Sequence, residues 1–466
     1  MSVNSLSRPV EALGERGDTY LLQTEADLAK AATYAIEKSV ALGAGGAIAR
    51  VHEGGGISVT VAKAKVENAV REGSQSLQIT IFENGRTGVA SSESLSRAAI
   101  DRVVEQAIGM ARQLEPDPEA GLADRDALAW AAPDVPLFAP SNQPAEGLTG
   151  AALAIEQAVI AMSTKDAVRV SEAGAASQDS RFALATSQGF CRTASSSVQH
   201  RWCQTIAQRG DEMKQGNWSS VDRQLGGLES EDDVGRRAAE QALGMLGAEG
   251  LATRRVPVLV DSTVAASLVR NMCTQLTGSS QFQRMTFLPD AVGQVIAAQH
   301  VTLGEDPFEP FGLASTTFDD EGVAGARRDI VRDGVVTGLF LDTRMARKLR
   351  RVSTGNAGGM RNLSLASSHT EPADDLAAML RKMGTGLWLT RFMGGATNAA
   401  TGVYSQAAAG FWVANGQVIG PVQGFTVAGN LQDMFKSIAA IGADVHRAGG
   451  IRAGSILLPD MQIAGR

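Results

Sequence analysis

The sequence predicts an α+β protein: an N-terminal α+β domain in which a helix–antiparallel sheet–helix unit occurs twice, then a C-terminal β-rich, barrel-like domain with a few helices. Three observations lead there. Glycine is abundant, 51 of 466 residues, while aromatics are only 5%, and many glycines fall between short β-branched runs, the pattern of strands joined by tight turns. Three dipeptides, Asn84-Gly85, Asp333-Gly334 and Asn415-Gly416, separate apolar runs and favour the left-handed backbone of a two-residue hairpin turn. Helical periodicity is confined to a few segments; Ile100, Val103, Val104, Ala107, Ile108 and Ala111 follow one face of an amphipathic helix.

The first repeat begins with an alanine-rich helix from Ala26 to Ala41, with Leu28, Ala31, Ala32 and Ile36 on one side. Ile57, Val59 and Val61 then share one strand face, and Leu77, Ile79 and Ile81 share another that ends at Asn84-Gly85. Ser96 stands where an N-cap is expected before the helix through Ala111, and Pro116 lies just beyond that helix. The same order recurs: a helix from Leu148 to Met162, strand-like runs Val168–Ala175, Arg181–Thr186 and Val198–Arg209, and a helix from Asp232 to Leu246.

A chain of this length suggests two domains. Composition shifts to small and charged residues at Gly247–Arg255, which places the domains at 1–250 and 251–466, with repeat units at 20–118 and 147–247. The second domain opens with a strand, Val256–Val260, and a helix from Thr263 to Leu276. Later come the hairpins at Asp333-Gly334 and Asn415-Gly416 and helices at Asp374–Met383 and Asn430–Ile441.

Composition narrows the function classes. The net charge is -7, and the basic clusters Arg327-Arg328, Arg347-Lys348 and Arg350-Arg351 are short and interrupted. Nucleic-acid binders draw most of their affinity from phosphate neutralisation by basic stripes, so direct nucleic-acid binding is not expected. The three cysteines, Cys191, Cys203 and Cys273, are odd in number and lack CxxC spacing, which points to a reducing compartment. Met1–Thr19 has no signal-like apolar core, and no stretch approaches the roughly 20 apolar residues of a membrane helix. A cytoplasmic location without membrane contact is expected.

No residue pattern supplies a catalytic constellation. The histidines, His52, His200, His300, His369 and His446, lie far apart, whereas a zincin needs two imidazoles one helical turn apart with a glutamate as base. His52-Glu53 is followed by Gly54-Gly55-Gly56 and reads as a strand end and turn. Gly355-Asn356-Ala357-Gly358-Gly359 lacks the GK[ST] ending of a phosphate loop. It is either an irregular turn or a loop whose backbone approaches a ligand, with Arg361 and Asn362 adding hydrogen bonds. Gly355, Asn356, Gly358, Gly359, Arg361 and Asn362 are the candidate peptide-binding residues. No GxSxG occurs, and the cysteines fall in expected strands or an apolar helix, where packing is their expected role. Asp319-Asp320-Glu321-Gly322 is a compact acidic turn, open to two readings: a solvated ion-pair network, or a site for a hard cation or acid–base chemistry. Asp374-Asp375 suits a helix start. No catalytic and no metal-ligating residue is assigned.

The second half resembles the TldD/PmbA family, and within it the PmbA (TldE) branch. The resemblance rests on Gly312-Leu313-Ala314-Ser315-Thr316-Thr317-Phe318-Asp319, Glu321-Gly322, Arg327-Arg328-Asp329-Ile330 and Arg347-Lys348-Leu349. It continues through Ser353-Thr354-Gly355-Asn356-Ala357-Gly358-Gly359, Met383-Gly384-Thr385-Gly386-Leu387, Tyr404 through Gly416 and Ala428-Gly429-Asn430-Leu431. In the first half, Asn84-Gly85-Arg86 and Ala90-Ser91-Ser92 fit as well.

The resemblance implies an N-terminal α+β domain and a β-rich C-terminal domain with a long cleft. It also implies a division of labour. TldD-like subunits carry an HExxxH motif and a cysteine as zinc ligands, PmbA/TldE-like subunits lack them, and the two form a heteromeric protease acting on unfolded peptides. The family is further linked to microcin maturation, antitoxin turnover and the label "modulator of DNA gyrase". Where a TldD-like chain would show its His-Glu and later His, this chain reads Asp261-Ser262-Thr263-Val264-Ala265-Ala266, and no cysteine follows Cys273. The expectation is a subunit without a cofactor of its own that binds peptide and activates a zinc-bearing TldD-like partner. A homodimer is expected in isolation. Two alternatives stand beside it: an autonomous metal-dependent peptidase using Asp319, Asp320, Glu321 or His446, and a regulatory protein binding DNA gyrase.

Overall fold

A computed structural model describes residues 19–163 and 167–465 of the chain. The first half contains α1 (Glu25–Ala41), β1 (Gly46–Ala62), β2 (Lys65–Glu83), β3 (Arg86–Ser92) and α2 (Arg97–Gln113). Then come α3 (Ala145–Ala161), β4 (Ala167–Thr186), β5 (Cys191–Arg209), β6 (Glu212–Asp222) and α4 (Glu231–Leu243). Helix, three strands, helix thus occurs twice. The six strands form one sheet in the order β3-β2-β1-β4-β5-β6, with β1 and β4 antiparallel at its centre.

The expected periodicities form the expected elements. Asn84 and Gly85 take φ of 52° and 74° at the β2–β3 turn. Ile100, Val103, Val104, Ala107, Ile108 and Ala111 are all buried on α2; each larger aliphatic side chain contributes about 1.5–3 kcal/mol when fully removed from water. Ser96 does occupy the N-cap position of α2, but its side chain makes no capping hydrogen bond.

The two repeats share a steric device. A Cβ on Gly88 of β3 would overlap the carbonyl oxygen of Ala107 and fall 2.6 Å from the nitrogen of Ala111, both on α2. A Cβ on Gly216 of β6 would overlap the carbonyl of Ala238 and fall 2.6 Å from the nitrogen of Ala242, both on α4. In each repeat the last helix lies directly on an outer-strand glycine. The cores are also interleaved. Ala47, Ala49 and Val51 of β1 pack with α1 and α2, whereas Val59 and Val61 pack with α3 and α4. Strand β4 does the reverse: Val168 and Val170 join the second core, Ala183 and Ala185 the first.

Two local expectations are corrected. The strand end and turn expected at His52-Glu53-Gly54-Gly55-Gly56 is instead the middle of β1, paired with β2 on one side and β4 on the other. The glycines serve close approach: a Cβ on Gly55 would lie 2.7 Å from the Tyr20 carbonyl oxygen, and one on Gly56 2.6 Å from that of Ser177. The runs Val168–Ala175 and Arg181–Thr186 are one strand, β4. Its polar middle is paid for by hydrogen bonds, since the buried Asp179 carboxylate accepts from Thr19 Oγ1 at 2.6 Å and Ser197 Oγ at 2.7 Å.

The second half comprises β7 (Glu249–Gly250), β8 (Arg254–Val260), α5 (Ser262–Gln275), α6 (Gly278–Phe282), β9 (Val301–Asp306), β10 (Arg328–Arg332) and β11 (Val335–Val336). It continues with α7 (Thr343–Lys348), β12 (Asn362–Ser367), α8 (Leu376–Met383), β13 (Gly386–Thr397), β14 (Val403–Ala414) and β15 (Gln417–Asn430). It ends with α9 (Leu431–Lys436), β16 (Ala440–Ile441), β17 (Ile451–Arg452) and β18 (Ile456–Ala464). The helix expected over Asn430–Ile441 is shorter: Asn430 caps α9, and Ala440–Ile441 pairs with β18.

One sheet runs β16-β18-β8-β13-β14-β15-β7, and a further β15–β18 pairing closes β18, β8, β13, β14 and β15 into a barrel. The other sheet runs β11-β10-β9-β12-β17. Alternation on β8 serves two layers, with Val258 and Val260 in the main core and Leu259 against Met379, Leu380 and Met383 of α8. The halves are firmly joined. Phe318 and Val323 of the second pack with Ile48, Leu128, Leu184 and Phe190 of the first. Arg223 donates to the carbonyl oxygens of Gly312 and Leu313 at 3.0 and 3.1 Å, and Arg50 donates to that of Asp320 at 2.7 Å. No helix among the described residues is long and apolar enough to cross a membrane.

Candidate functional site: a cleft between the halves

Strand β8 ends at Val260, and Asp261 turns the chain into α5. The Asp261 carboxylate caps the helix, accepting from the backbone N–H of Thr263 at 3.0 Å. Ser262, Thr263, Ala266 and Arg270 therefore follow one another along a face of α5, and all four line a cavity of about 790 Å³. The opposite wall comes from the first half: Gln204 and Thr205 of β5, Trp218 of β6 and Gln241 of α4. A third wall is Thr390, Arg391 and Phe392 of β13.

Strand β13 offers an edge here. It pairs with β8 only over Leu387–Leu389, while its pairing with β14 continues to Thr397. Beyond Leu389 one side of β13 has no strand partner among the described residues. Free backbone donors and acceptors of this kind capture extended chains with little regard to sequence.

A second cavity, about 440 Å³, shares Arg270, Gly450 and Ile451 with the first and runs to Gly359, Met360 and Arg361. It reaches only part of the expected peptide loop: Asn356, Gly359 and Arg361 line it, whereas Gly355, Gly358 and Asn362 do not. Gly355 abuts the Ala324 carbonyl and Gly358 the Asp320 carboxylate. Asn356 is buried and spends its side chain internally, donating to Glu305 Oε1 at 2.8 Å and accepting from Arg328 Nη2 and Thr354 Oγ1 at 2.7 Å. Asn362 donates both amide hydrogens, to the Asp306 carbonyl at 2.8 Å and Ser315 Oγ at 2.7 Å, so it has none left for a peptide. A short sequence motif marks such a loop but not which way each side chain faces.

The acidic turn is a structural knot. Asp319 accepts from the backbone N–H groups of Glu321, Val323 and Ala357 at 2.9–3.0 Å, and Glu321 accepts from that of Thr343 at 2.9 Å. Burial pushes the Asp319 carboxyl up to about 7, with Glu321 adding to the push. His446 lies in the cleft with its ring centroid 5.2 Å from that of Trp218. Burial, with Arg237 adding to it, lowers its pKa against the pull of Glu229 and Asp261, which favours the neutral ring. Asp374 and Asp375 do sit at the start of α8, where Asp375 caps Ala378.

Among the described residues no group of three or more His, Cys, Asp or Glu side chains is placed to hold a metal, and a catalytic zinc takes three protein ligands. Cys203 and Cys273 are buried, as packing residues should be, but Cys191 is exposed and does not have that role.

The chain is a mixed α+β protein in which a six-stranded open sheet lies beside a closed five-stranded barrel, with a polar cleft between the two halves. Family models described as PmbA/TldA metallopeptidase domain 1, central domain and C-terminal domain match residues 47–111, 139–246 and 253–465. The chain belongs to the PmbA/TldD metallopeptidase family. It is 38% identical over 429 residues to metalloprotease PmbA of Escherichia coli O157:H7, covering 90% of this chain and 92% of that one. Its fold matches a candidate modulator of DNA gyrase from Bacteroides thetaiotaomicron (TM-score 0.86, 22% identity, 94% and 98% of the two chains covered). It also matches TldE from Thermococcus kodakarensis (TM-score 0.83, 18% identity, 93% and 100% covered).

The wall built by Gln204, Trp218 and Gln241 has no counterpart in the sequence reading. No local signal could have found it, because these residues meet α5 only through docking of the two halves.

Proposed function

We propose that this chain is the peptide-binding, activating subunit of a heteromeric metalloprotease, working with a zinc-bearing TldD-like paralogue in the cytoplasm. The observation that carries the reading is the cleft. It combines an unpaired β13 edge, which suits an extended peptide backbone, with an α5 face of Ser262, Thr263 and Ala266, which offers no imidazole or carboxylate for a metal. Folded proteins would be rejected because their backbones are already paired. Gly359 and Arg361 extend the same binding surface into the second cavity. In the absence of the paralogue the chain pairs with itself.

The test is an unstructured-peptide cleavage assay with this subunit alone, the TldD-like subunit alone and the two mixed, with metal content measured in parallel. The reading expects cleavage only in the mixture, with zinc following the paralogue. Cleavage by this chain alone, with stoichiometric metal, would overturn it.

A further inference from the structure

The chain as a whole is acidic, with net charge -7, yet its cleft is not. The fully charged side chains lining the two joined cavities are Arg270, Arg361, Arg391 and Asp342: three cations and one anion. Asp342 is partly occupied, accepting from the backbone N–H of Met345 at 2.6 Å as the cap of α7. Arg391 is held by the Gln215 carbonyl at 2.9 Å.

Arg270 and Arg361 differ from the arginines around them. On the nearby β9–β10 surface each guanidinium has its carboxylate: Arg327 with Asp306 at 2.9 Å, Arg328 with Glu305 at 2.8 Å, Arg332 with Asp329 at 2.6 Å. Arg270 and Arg361 have no carboxylate partner among the described residues. Arg361 donates from Nη2 to the Ala357 carbonyl at 2.9 Å, while its Nε is buried without a hydrogen-bond partner. A buried donor left unpaired is costly, and planar guanidinium forks match carboxylates. Arg270 lies one turn beyond Ala266 on the cleft face of α5 and lines both cavities, so it stands where the β13 edge and the loop at Gly359 meet.

We propose that Arg270 and Arg361 form a carboxylate subsite, so that the cleft prefers peptides presenting a carboxylate, either a free C-terminus or an acidic side chain. This deepens the peptide-binding reading and rests on it. The strand edge supplies affinity for any extended backbone, and the arginine pair fixes where along the cleft the peptide stops. The ligand favoured is a peptide rather than a free anion because the subsite is continuous with the unpaired strand edge.

The experiment is fluorescence anisotropy on the full chain with three labelled, unstructured peptides of one parent sequence lacking acidic residues: the free acid, the C-terminal amide, and the amide with one internal glutamate. The free acid should bind about tenfold or more tighter than the plain amide, the difference expected of a charge-assisted hydrogen bond. Arg270→Gln and Arg361→Gln should each reduce free-acid binding towards the amide level, with an unchanged melting temperature showing the fold intact; Arg270→Lys should keep part of the preference. Tight binding of the glutamate peptide in place of the free acid assigns the subsite to acidic side chains. Equal binding of all three peptides, or an acid preference that survives both glutamine variants, overturns the subsite and leaves the peptide reading standing. Failure of every peptide to bind removes the peptide reading, and the subsite with it.

Discussion

Trp388 donates its indole N–H to Oδ2 of Asp261 at 2.8 Å, while Oδ1 of the same carboxylate accepts from the backbone N–H of Thr263 at 3.0 Å. One side chain thus ties β13 to the first turn of α5, the two second-half walls of the cleft. Asp261→Ala removes the cap, worth about 1 kcal/mol, and orphans the indole, for a total of about 2–3 kcal/mol. Asp261→Asn keeps a capping oxygen and should fall between. Urea midpoints of the three proteins give the order, and an alanine variant as stable as wild type would show that the tie carries no weight.

Asp117, in the segment after α2, reaches across to α7, where Lys348 lies at 3.0 Å and Arg344 Nε at 2.7 Å. Against the burial that pushes a carboxyl up, Lys348 and Arg344 hold it down at about 2. A pKa lower in the folded than in the unfolded chain stabilises above the ordinary value of 3.8 and is lost as pH falls towards 2. Asp117→Asn should therefore cost about 1–2 kcal/mol at pH 7, with the melting-temperature gap to wild type narrowing below pH 4. A gap independent of pH would contradict the pairing.

Asp319 has the opposite sign. Its folded-state pKa, raised to about 7 by burial and then by Glu321, lies above that of an unfolded aspartate. The folded chain takes up a proton first, so stability should rise as pH falls from about 7 to 5. Asp319→Asn should flatten this rise by about 1–2 kcal/mol across that range. The slope, measured by denaturant melts at several pH values, is the readout, because the variant also disturbs one of three backbone acceptor contacts.

Gly88→Ala and Gly216→Ala each drive a methyl group into a helix backbone. Backbone cannot move aside as a long side chain can, so each should cost about 3 kcal/mol or more. Equal penalties would mark the two positions as equivalent. A tolerated substitution at either would mean that its helix does not sit where the structure has it.

The features legible in the sequence were those set by near neighbours. Asn84-Gly85, Asp333-Gly334 and Asn415-Gly416 all take the left-handed backbone that their side chains permit, with φ between 50° and 78°, and the periodic residues of α2 all face the core. What failed was decided at long range. Gly54, Gly55 and Gly56 look like a turn until Tyr20 and Ser177 are seen lying against them. The Gly355–Gly359 loop was visible as a loop, but that Asn356 spends its side chain on Glu305, 51 positions away, was not. The cleft itself was foreseen only through family resemblance, since its walls, at 204–241, 262–270 and 390–392, meet only once the two halves dock.

The interleaving of β1 and β4 bears on how this protein can be taken apart. Each central strand begins in the core of its own repeat and finishes in the other's, so neither repeat owns a complete set of interior residues. Expressing one repeat alone would yield a fragment with half of each core missing, rather than a smaller domain. A proteolytic nick between residues 114 and 144 should likewise release nothing, because the severed pieces remain laced through the shared centre of the sheet and melt in a single transition.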